Sequence, residues 1–157
     1  MGLQARCDPT LRYVRDLVAQ GFVGDVLAAD MVMLTTGAPE RTSSKLWETK
    51  ESGGISALTV RGIHSLDALC FCLGEFTELS ARLATRIPQW RMTDTGTMAD
   101  VEVPDNVLVH GRLANGAVVG AHIATLPAAT PGFRLEIHGR AGALHVATSG
   151  APRAMPA

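Results

Sequence analysis

Two sets of apolar residues, spaced three and four positions apart, predict two amphipathic helices. The first set is Leu11, Val14, Leu17 and Val18, and the second is Ile63, Leu66, Cys70 and Leu73. Asp8 and Pro9 supply an N-cap and a first-turn proline for the first helix, and Gly21 supplies its stop. The second helix is predicted to start near Gly62 and to end at Leu73.

Alternating apolar and polar residues predict strands in most of the remaining chain. The candidate segments are residues 25–36, residues 76–90 with an end at Pro88, a hairpin over 105–125 and a second hairpin over 133–146. Asn115-Gly116 favours a type I′ turn in the first hairpin, and Gly139 to Gly142 mark the turn of the second. The predicted fold is α+β, with a mainly antiparallel open sheet and two helices on one face.

Three segments carry no regular pattern. Residues 2–6 are expected to be extended, and residues 37–52 are expected to form a long polar loop. The alternation ends after His145, so residues 148–157 are predicted to form a frayed tail. The domain itself is predicted to span residues 1–147.

Composition excludes several classes of partner. The charges nearly cancel, with 14 Lys and Arg against 15 Asp and Glu, and neither sign forms a run. Nucleic acid and membrane surfaces are therefore not expected partners. The cysteines are odd in number, and Cys70 and Cys72 are too close to bridge within a helix, so we expect packing cysteines in a reducing, cytoplasmic setting. No apolar run reaches the roughly 20 residues that span a bilayer, and the start, MGLQARCDP, does not have the order of a signal peptide.

The histidines of the predicted sheet are not expected to bind a metal. A two-residue loop at Asn115-Gly116 would place His110 and His122 on opposite faces of the hairpin. His138 and His145 flank the second turn, with no cysteine or carboxylate pair in sequence to complete a tetrahedral set. The chain contains neither GxGxxG nor GxxxxGK[ST], so none of its residues is expected to hold a nucleotide cofactor.

His64 and Asp67 lie on one side of the second predicted helix, beside its apolar stripe. On chemistry alone, His64 is either a helix-start histidine satisfied by a nearby carbonyl or a residue that is used chemically. Asp67 would either orient His64 or cap its own surroundings. Gly53-Gly54, just before the helix, is either a flexible entry to it or a point where the backbone approaches a ligand closely.

The stretch WETKESGGISALTVRGIHSLDALCFCLGEF, residues 47–76, resembles the glucose-fructose oxidoreductase and inositol dehydrogenase family (Gfo/Idh/MocA). In that family a tryptophan and a Gly-Gly pair precede a Gly-x-His-x-x-Asp sequence on a helix. Residues 2–30, 104–122 and 135–144 also look like segments of the family's C-terminal domain. The residues Thr59-Val60 and the stretch LDALCFCLGEF most resemble the branch of the family that contains the galactose-regulon repressor.

The resemblance implies the C-terminal substrate-binding and dimerisation domain of an NAD(P)-dependent oxidoreductase that acts on sugars or polyols. It implies that His64 is the acid/base, in a first helical turn that faces the nicotinamide ring. The candidate substrate-binding residues are Arg6, Trp47, Gly53, Gly54 and Asp67. NAD or NADP is implied for full-length members, with none expected on this chain alone. A homo-oligomer is expected through the sheet face that the helices leave uncovered.

Two departures from the family pattern keep other interpretations open. Val60 stands four residues before the histidine, where the common pattern has an aspartate, which favours a non-catalytic sensor or repressor that binds nucleotide and a protein partner. The resemblance also implies an N-terminal Rossmann domain with a Glu-Lys-Pro stretch, which this sequence does not contain, so the chain is interpreted as a fragment. A third interpretation is a stand-alone assembly module.

Overall fold

The computed structural model describes residues 2–149, which form nine strands and two α-helices. The helices are α1 (Pro9–Ala19) and α2 (Ile63–Leu73). The strands are β1 (Val26–Thr36), β2 (Glu40–Arg41), β3 (Phe76–Ala84), β4 (Gln89–Met92), β5 (Met98–Asp100), β6 (Asn106–Leu113), β7 (Val118–Leu126), β8 (Gly132–Gly139) and β9 (Ala143–Thr148). Short 3-10 helices cover Gln4–Cys7, Ser43–Thr49 and Glu51–Gly53, and a π-helical segment covers Ala57–Gly62.

Six of the strands form an open sheet in the order β3-β6-β7-β1-β8-β9, and the other three form a small sheet in the order β2-β4-β5. In the large sheet only β1 and β7 run parallel, and the other neighbours are antiparallel. The predicted α+β fold with a mainly antiparallel open sheet is therefore confirmed. The parallel pair arises because β1, an early strand, lies at the centre of the sheet between β7 and β8.

The core lies between the helices and one face of the large sheet. Met31 and Met33 of β1 point into it and are almost fully buried, as are Leu11 of α1 and Leu69 of α2. The stripe predicted for α1 faces the core, with Leu11 and Val14 buried and Leu17 and Val18 partly buried. The stripe predicted for α2 is corrected, because only Leu73 of its four residues is buried. The buried face of α2 includes the polar residue Ser65, which an apolar pattern does not indicate; its members are Ser65, Ala68, Leu69, Cys72 and Leu73. The opposite face of the sheet, called the outer face below, presents the alternate residues of each strand.

The ends of α1 follow the predicted capping signals. The Asp8 carboxylate accepts hydrogen bonds from the backbone N–H groups of Thr10 and Leu11, at 2.9 and 3.2 Å. Pro9 occupies the first turn, and Gly21 follows the helix with a φ of +76°, a left-handed conformation that favours glycine.

The cysteines are free thiols, as expected. Cys72 is buried in the core, and its Sγ donates to the carbonyl oxygen of Leu11 at 3.6 Å. Burial raises the pKa of the Cys72 thiol to about 12, and burial together with Glu75 raises the pKa of Cys70 to about 11. Both thiols are therefore protonated near neutral pH and act as packing groups.

By length and apolar composition the stretch Glu51–Leu73 could cross a membrane, with a mean hydropathy of 1.2. In the fold its second half is α2, whose residues Leu69 and Leu73 pack in the core. The same stretch carries Arg61 and Asp67, which a bilayer interior would disfavour. About a third of this stretch is buried within the fold.

The register of the first hairpin corrects the sequence prediction. Leu113 and Ala117 close a three-residue loop, and only Gly116 has a positive φ, so the turn is not type I′. His110 pairs with Gly120 and His122 pairs with Leu108, which puts both imidazoles on the outer face. The prediction of opposite faces was wrong because a change of one residue in register moves every side chain of a strand to the other face.

Four further boundaries differ from the sequence predictions. Residues 2–6 were expected to be extended, but Gln4–Cys7 is a 3-10 helix. The predicted loop 37–52 contains β2 and 3-10 turns, and the strand predicted from residue 76 ends at Ala84, before β4 begins. Strand β9 continues to Thr148. The predicted tail lies, from residue 150 onward, outside the described residues.

Candidate functional site

His64 lies at a junction between two kinds of helix. The π-helical segment Ala57–Gly62 leads directly into α2, and the N–H of Ile63 bonds the carbonyl of Leu58, five residues back. Ser56 and Thr59 cap the start of this segment reciprocally, with the Thr59 N–H donating to Ser56 Oγ at 3.1 Å. The helical run therefore begins well before the predicted start, and His64 is not in its first turn. Single π-helical turns occur frequently at functional sites.

The His64 side chain is half-buried and has no hydrogen-bond or ion-pair partner within residues 2–149. The interpretation in which a nearby carbonyl satisfies it is therefore not supported. Asp67 does not orient it either, because that carboxylate bonds a different residue. The imidazole is left able to exchange a proton with a bound molecule, which is the chemistry for which histidine is suited near neutral pH.

Arg6 and Asp67, both predicted substrate-side residues, bind each other. The guanidinium of Arg6 donates from Nε to both carboxylate oxygens at 3.0 Å and from Nη2 to Oδ1 at 2.5 Å. The pKa of Arg6 is raised, chiefly by this hydrogen bond. The same guanidinium lies 5.8 Å from the centre of the Phe71 ring. The pair joins the N-terminal 3-10 helix to α2, so its first role is to hold these elements together.

Trp47, Gly53 and Gly54 form a second group. A Cβ added to Gly53 would clash with the backbone carbonyl of Trp47, so the absence of a side chain is explained by packing within the chain. Gly54 has a φ of +70°, and its carbonyl accepts from Thr59 Oγ1 at 2.8 Å. This second group thereby fixes the entry to the π-helical segment that carries Val60, while the indole of Trp47 stays about half exposed.

A cavity of about 150 Å³ lies between the small sheet and the π-helical segment. It is lined by Arg41, Glu48, Ile55, Ser56, Ala57, Arg61, Ile87, Trp90, Val101, Val103, Pro104, Asp105 and Thr125. None of the predicted site residues lines it, and sequence reasoning did not identify its polar members. The sequence offered one indication of this cavity, Arg61, which lies three residues before His64. Trp90 could not be connected with it, because it belongs to a strand that is distant in sequence.

No group of three or more metal-ligating side chains occurs in the part of the chain that the structure describes. His138 and His145 both approach Glu136 on the outer face, at 3.9 and 3.7 Å. These distances fit ion pairs when the imidazoles are protonated, and they are longer than metal–ligand geometry at a shared ion would give.

Comparison with known families shows which family the chain belongs to. The model of the Gal80p C-terminal domain matches residues 9–148. The chain belongs to this family. The resemblance recognised in the sequence is confirmed, because relatives and structural neighbours of this domain include both dehydrogenases and Gal80.

Three relatives illustrate the range of the family. The dehydrogenase aclE of Aspergillus oryzae is 28% identical over 150 residues, which covers 92% of this chain and 41% of that protein. Levoglucosan dehydrogenase of Pseudarthrobacter phenanthrenivorans is 28% identical over 154 residues, which covers 88% of this chain and 39% of that protein. The galactose/lactose metabolism regulatory protein GAL80 of Saccharomyces cerevisiae is 25% identical over 128 residues, which covers 75% of this chain and 29% of that protein. The chain thus spans less than half the length of each relative.

Solved structures agree with the sequence comparison. Levoglucosan dehydrogenase in complex with NADH and L-sorbose superposes with a TM-score of 0.81 at 28% identity, covering 92% of this chain and 39% of that one. A super-repressor mutant of Gal80p from Saccharomyces cerevisiae superposes with a TM-score of 0.84 at 23% identity, and the match covers 96% of this chain and 42% of that one. The second match shows the fold alone.

Proposed function

We propose that this chain is the C-terminal substrate-binding and dimerisation domain of an NAD(P)-dependent oxidoreductase that acts on sugars or polyols. The observation that carries the proposal is the half-buried, unpartnered imidazole of His64 at the π-helical junction. It supports an acid/base role because the chain bonds neither ring nitrogen within residues 2–149 and neither is buried, so both are open to a bound molecule. Membership of a family that includes a dehydrogenase solved with NADH and sugars supports the substrate class.

The dinucleotide itself does not fit the residues of this chain. Residues 2–149 contain no glycine-rich turn at the start of a helix, and such a turn is what supplies backbone N–H groups to a pyrophosphate. A separate dinucleotide-binding domain would have to hold NAD or NADP, whose nicotinamide supplies the hydride acceptor. The contribution of this chain is to position the substrate and to move a proton.

His64 would perform the proton step of the oxidation. A neutral imidazole accepts the proton of the substrate hydroxyl while the carbon that bears it loses a hydride. In the reverse direction the imidazolium returns the proton to the carbonyl oxygen. Val60, where the family pattern has an aspartate, offers no carboxylate to stabilise the imidazolium, so the imidazole must act without that partner.

The proposal is tested with a chimaera that joins this chain to the dinucleotide-binding domain of levoglucosan dehydrogenase. Reduction of NAD⁺ and NADP⁺ is followed spectrophotometrically with levoglucosan, L-sorbose, glucose, galactose, myo-inositol and glucuronate. Turnover of at least one of these is expected. Calorimetric binding of the reduced cofactor together with no turnover of any sugar would instead favour the repressor-type alternative, for which Val60 and the relationship to GAL80 are the supporting observations.

The proposed dimer would form through the outer face of the large sheet. Leu108 and Val118 on this face are 49% and 62% exposed, and Val32 and Leu34 beside them are only partly covered. Exposed apolar residues at the centre of an open sheet are typical of an interface. Four of the five histidines, His110, His122, His138 and His145, share the same face.

Leu108→Arg is expected to weaken the association of the isolated chain at least tenfold, because it places a second positive charge beside Arg82, and next to His122, in the patch that the dimer would bury. Sedimentation equilibrium measures the dissociation constant. Tyr13→Arg, at a 65% exposed position on α1, is the matched control and should leave association unchanged. A wild-type chain that sediments as a monomer at tens of micromolar would contradict the dimer.

A further inference from the structure

The cavity beside the π-helical segment is lined by two arginines, Arg41 and Arg61, and neither guanidinium forms an ion pair or hydrogen bond with a carboxylate within residues 2–149. Arg61 has no acceptor for its guanidinium within residues 2–149. Arg41 donates only from Nη1, to the carbonyl oxygens of Ala38 and Glu40 at 2.5 and 2.7 Å, which leaves Nε and Nη2 free in the same part of the chain. The two guanidiniums therefore have donor groups to spare inside the cavity.

The two acidic residues that line the cavity are already engaged elsewhere. Glu48 pairs with Lys45, whose Nζ lies 2.9 Å from its Oε1. Asp105 accepts from the backbone N–H groups of Arg86 and Ile87, the latter at 2.6 Å, and so fastens the turn between β3 and β4. Neither carboxylate is hydrogen-bonded or ion-paired to Arg41 or Arg61 within residues 2–149, so neither uses the donor groups of the two guanidiniums.

This arrangement costs free energy in the empty domain. Partial burial and the neighbouring Arg41 lower the pKa of Arg61, because both disfavour its charged form. A bound anion would remove the repulsion and use the spare donors. Arginine is suited to this role, since its planar guanidinium bonds a carboxylate or phosphate with two parallel hydrogen bonds.

The remaining wall of the cavity is mostly apolar, with Ser56 and Thr125 as its polar members. Val101 and Val103 are buried, and the guanidinium of Arg41 lies over the Trp90 ring at 4.9 Å from its centre. A volume of about 150 Å³ is smaller than the roughly 300–1,000 Å³ of pockets that enclose a drug-sized ligand, so the cavity suits one end of a larger molecule.

We propose that this cavity binds the carboxylate of a sugar acid through Arg41 and Arg61, with the carbon skeleton of the ligand against Trp90. The domain would then take an acidic sugar in preference to a neutral one. The sugar character of the ligand rests on the proposed function, whereas the anion site rests on the two arginines alone. A phosphate ester offers the same charge, so the test includes phosphate as a separate arm.

The test uses the 157-residue chain without cofactor. Glucuronate, glucose and inorganic phosphate are titrated separately while the indole N–H resonances of the two tryptophans are followed by NMR, with Trp47→Phe used only to assign them. Saturable movement of the Trp90 resonance is expected with glucuronate, with glucose at least tenfold weaker. Phosphate binding without glucuronate binding would overturn the sugar-acid assignment.

Substitutions of the two arginines test whether glucuronate binds in this cavity. Arg61→Gln is expected to weaken glucuronate binding at least tenfold, and Arg61→Lys, which keeps the charge but loses the two-pronged geometry, should weaken it less. Arg12→Gln removes the same charge from an exposed position on α1 and should change nothing. Circular dichroism checks that each variant is folded, and a misfolded Arg61→Gln is replaced by Arg41→Gln.

Three outcomes would overturn the proposal: equal binding of glucose and glucuronate, equal loss in Arg12→Gln and Arg61→Gln, or no saturation with either anion by about 50 mM. These outcomes are distinguishable from failure of the proposed function. A chimaera that oxidises neutral sugars while the isolated chain ignores anions would remove only the anion site. An inactive chimaera with intact glucuronate binding would remove only the oxidoreductase activity.

Discussion

His64→Ala in the active chimaera is expected to lower kcat by about 10²- to 10⁴-fold, the usual range for the loss of a positioned proton-transfer group. The reason is that the substrate hydroxyl would have to give its proton to water in a site from which water is partly excluded. Cofactor affinity, measured by calorimetry, should barely change, because the pyrophosphate is bound by the other domain. Steady-state kinetics with the best substrate of the panel measures kcat.

The structure sharpens this test with a stability measurement on the isolated chain. Since the imidazole has no hydrogen-bond partner within the described residues, its removal leaves no orphaned group, and the free energy of unfolding should change by less than about 1 kcal/mol. Tyr13→Ala, at a 65% exposed position on α1, is the control and should keep kcat. An unchanged kcat in His64→Ala would end the catalytic assignment.

If His64 is the acid/base, Val60→Asp, at a 37% exposed position, should keep or raise the activity of the chimaera.

Phe133→Ala is expected to lower the free energy of unfolding by about 3–5 kcal/mol, the range for removing a large aromatic side chain from a core. Phe133 is fully buried on β8, where it lies opposite Met33 of the neighbouring antiparallel strand β1. Its removal loses the burial of the ring and leaves a void beneath the helices. Because small domains are stable by only about 5–15 kcal/mol, a large share of the total would be lost.

Urea denaturation of the isolated chain, followed by circular dichroism, measures this effect. Phe22→Ala makes the same substitution at a position that is 59% exposed, and should change the free energy of unfolding by no more than about 0.5 kcal/mol. Equal losses in the two variants would mean that β8 does not belong to the core. A wild-type chain with no cooperative transition would show that the domain needs a partner to fold.

The elements that depend on neighbouring residues could be predicted from the sequence. The Asp8-Pro9 cap, the apolar stripe of α1 and the Gly139 to Gly142 turn appear in the structure where the pattern placed them, whereas the buried face of α2 differs from the predicted stripe. Each is specified within a few residues, by helical spacing, by a side chain that caps its own helix or by the freedom of glycine. The family resemblance added His64 as the candidate site residue.

The site, in contrast, depends on residues that are far apart in sequence. Arg6 and Asp67 were both predicted as substrate contacts, yet they bind each other across 61 residues, which no local pattern indicates. The cavity brings together Arg41 of β2, Trp90 of β4 and Arg61 of the π-helical segment, which are up to 49 residues apart in sequence. The π-helical segment itself shifts the start of the helix away from His64, although the apolar stripe suggested otherwise.

The sequence by itself determined the class of the fold and the presence of the two helices, because these follow from short-range periodicity and from the burial of apolar side chains. Only the tertiary structure decided which faces and which partners those residues have. A one-residue difference at the Asn115-Gly116 loop brings His110 and His122 to one face, and packing of β1 between β7 and β8 makes one pair parallel. The physical reason is that strand register and side-chain pairing depend on how distant segments pack, whereas the local sequence constrains only the backbone of each segment.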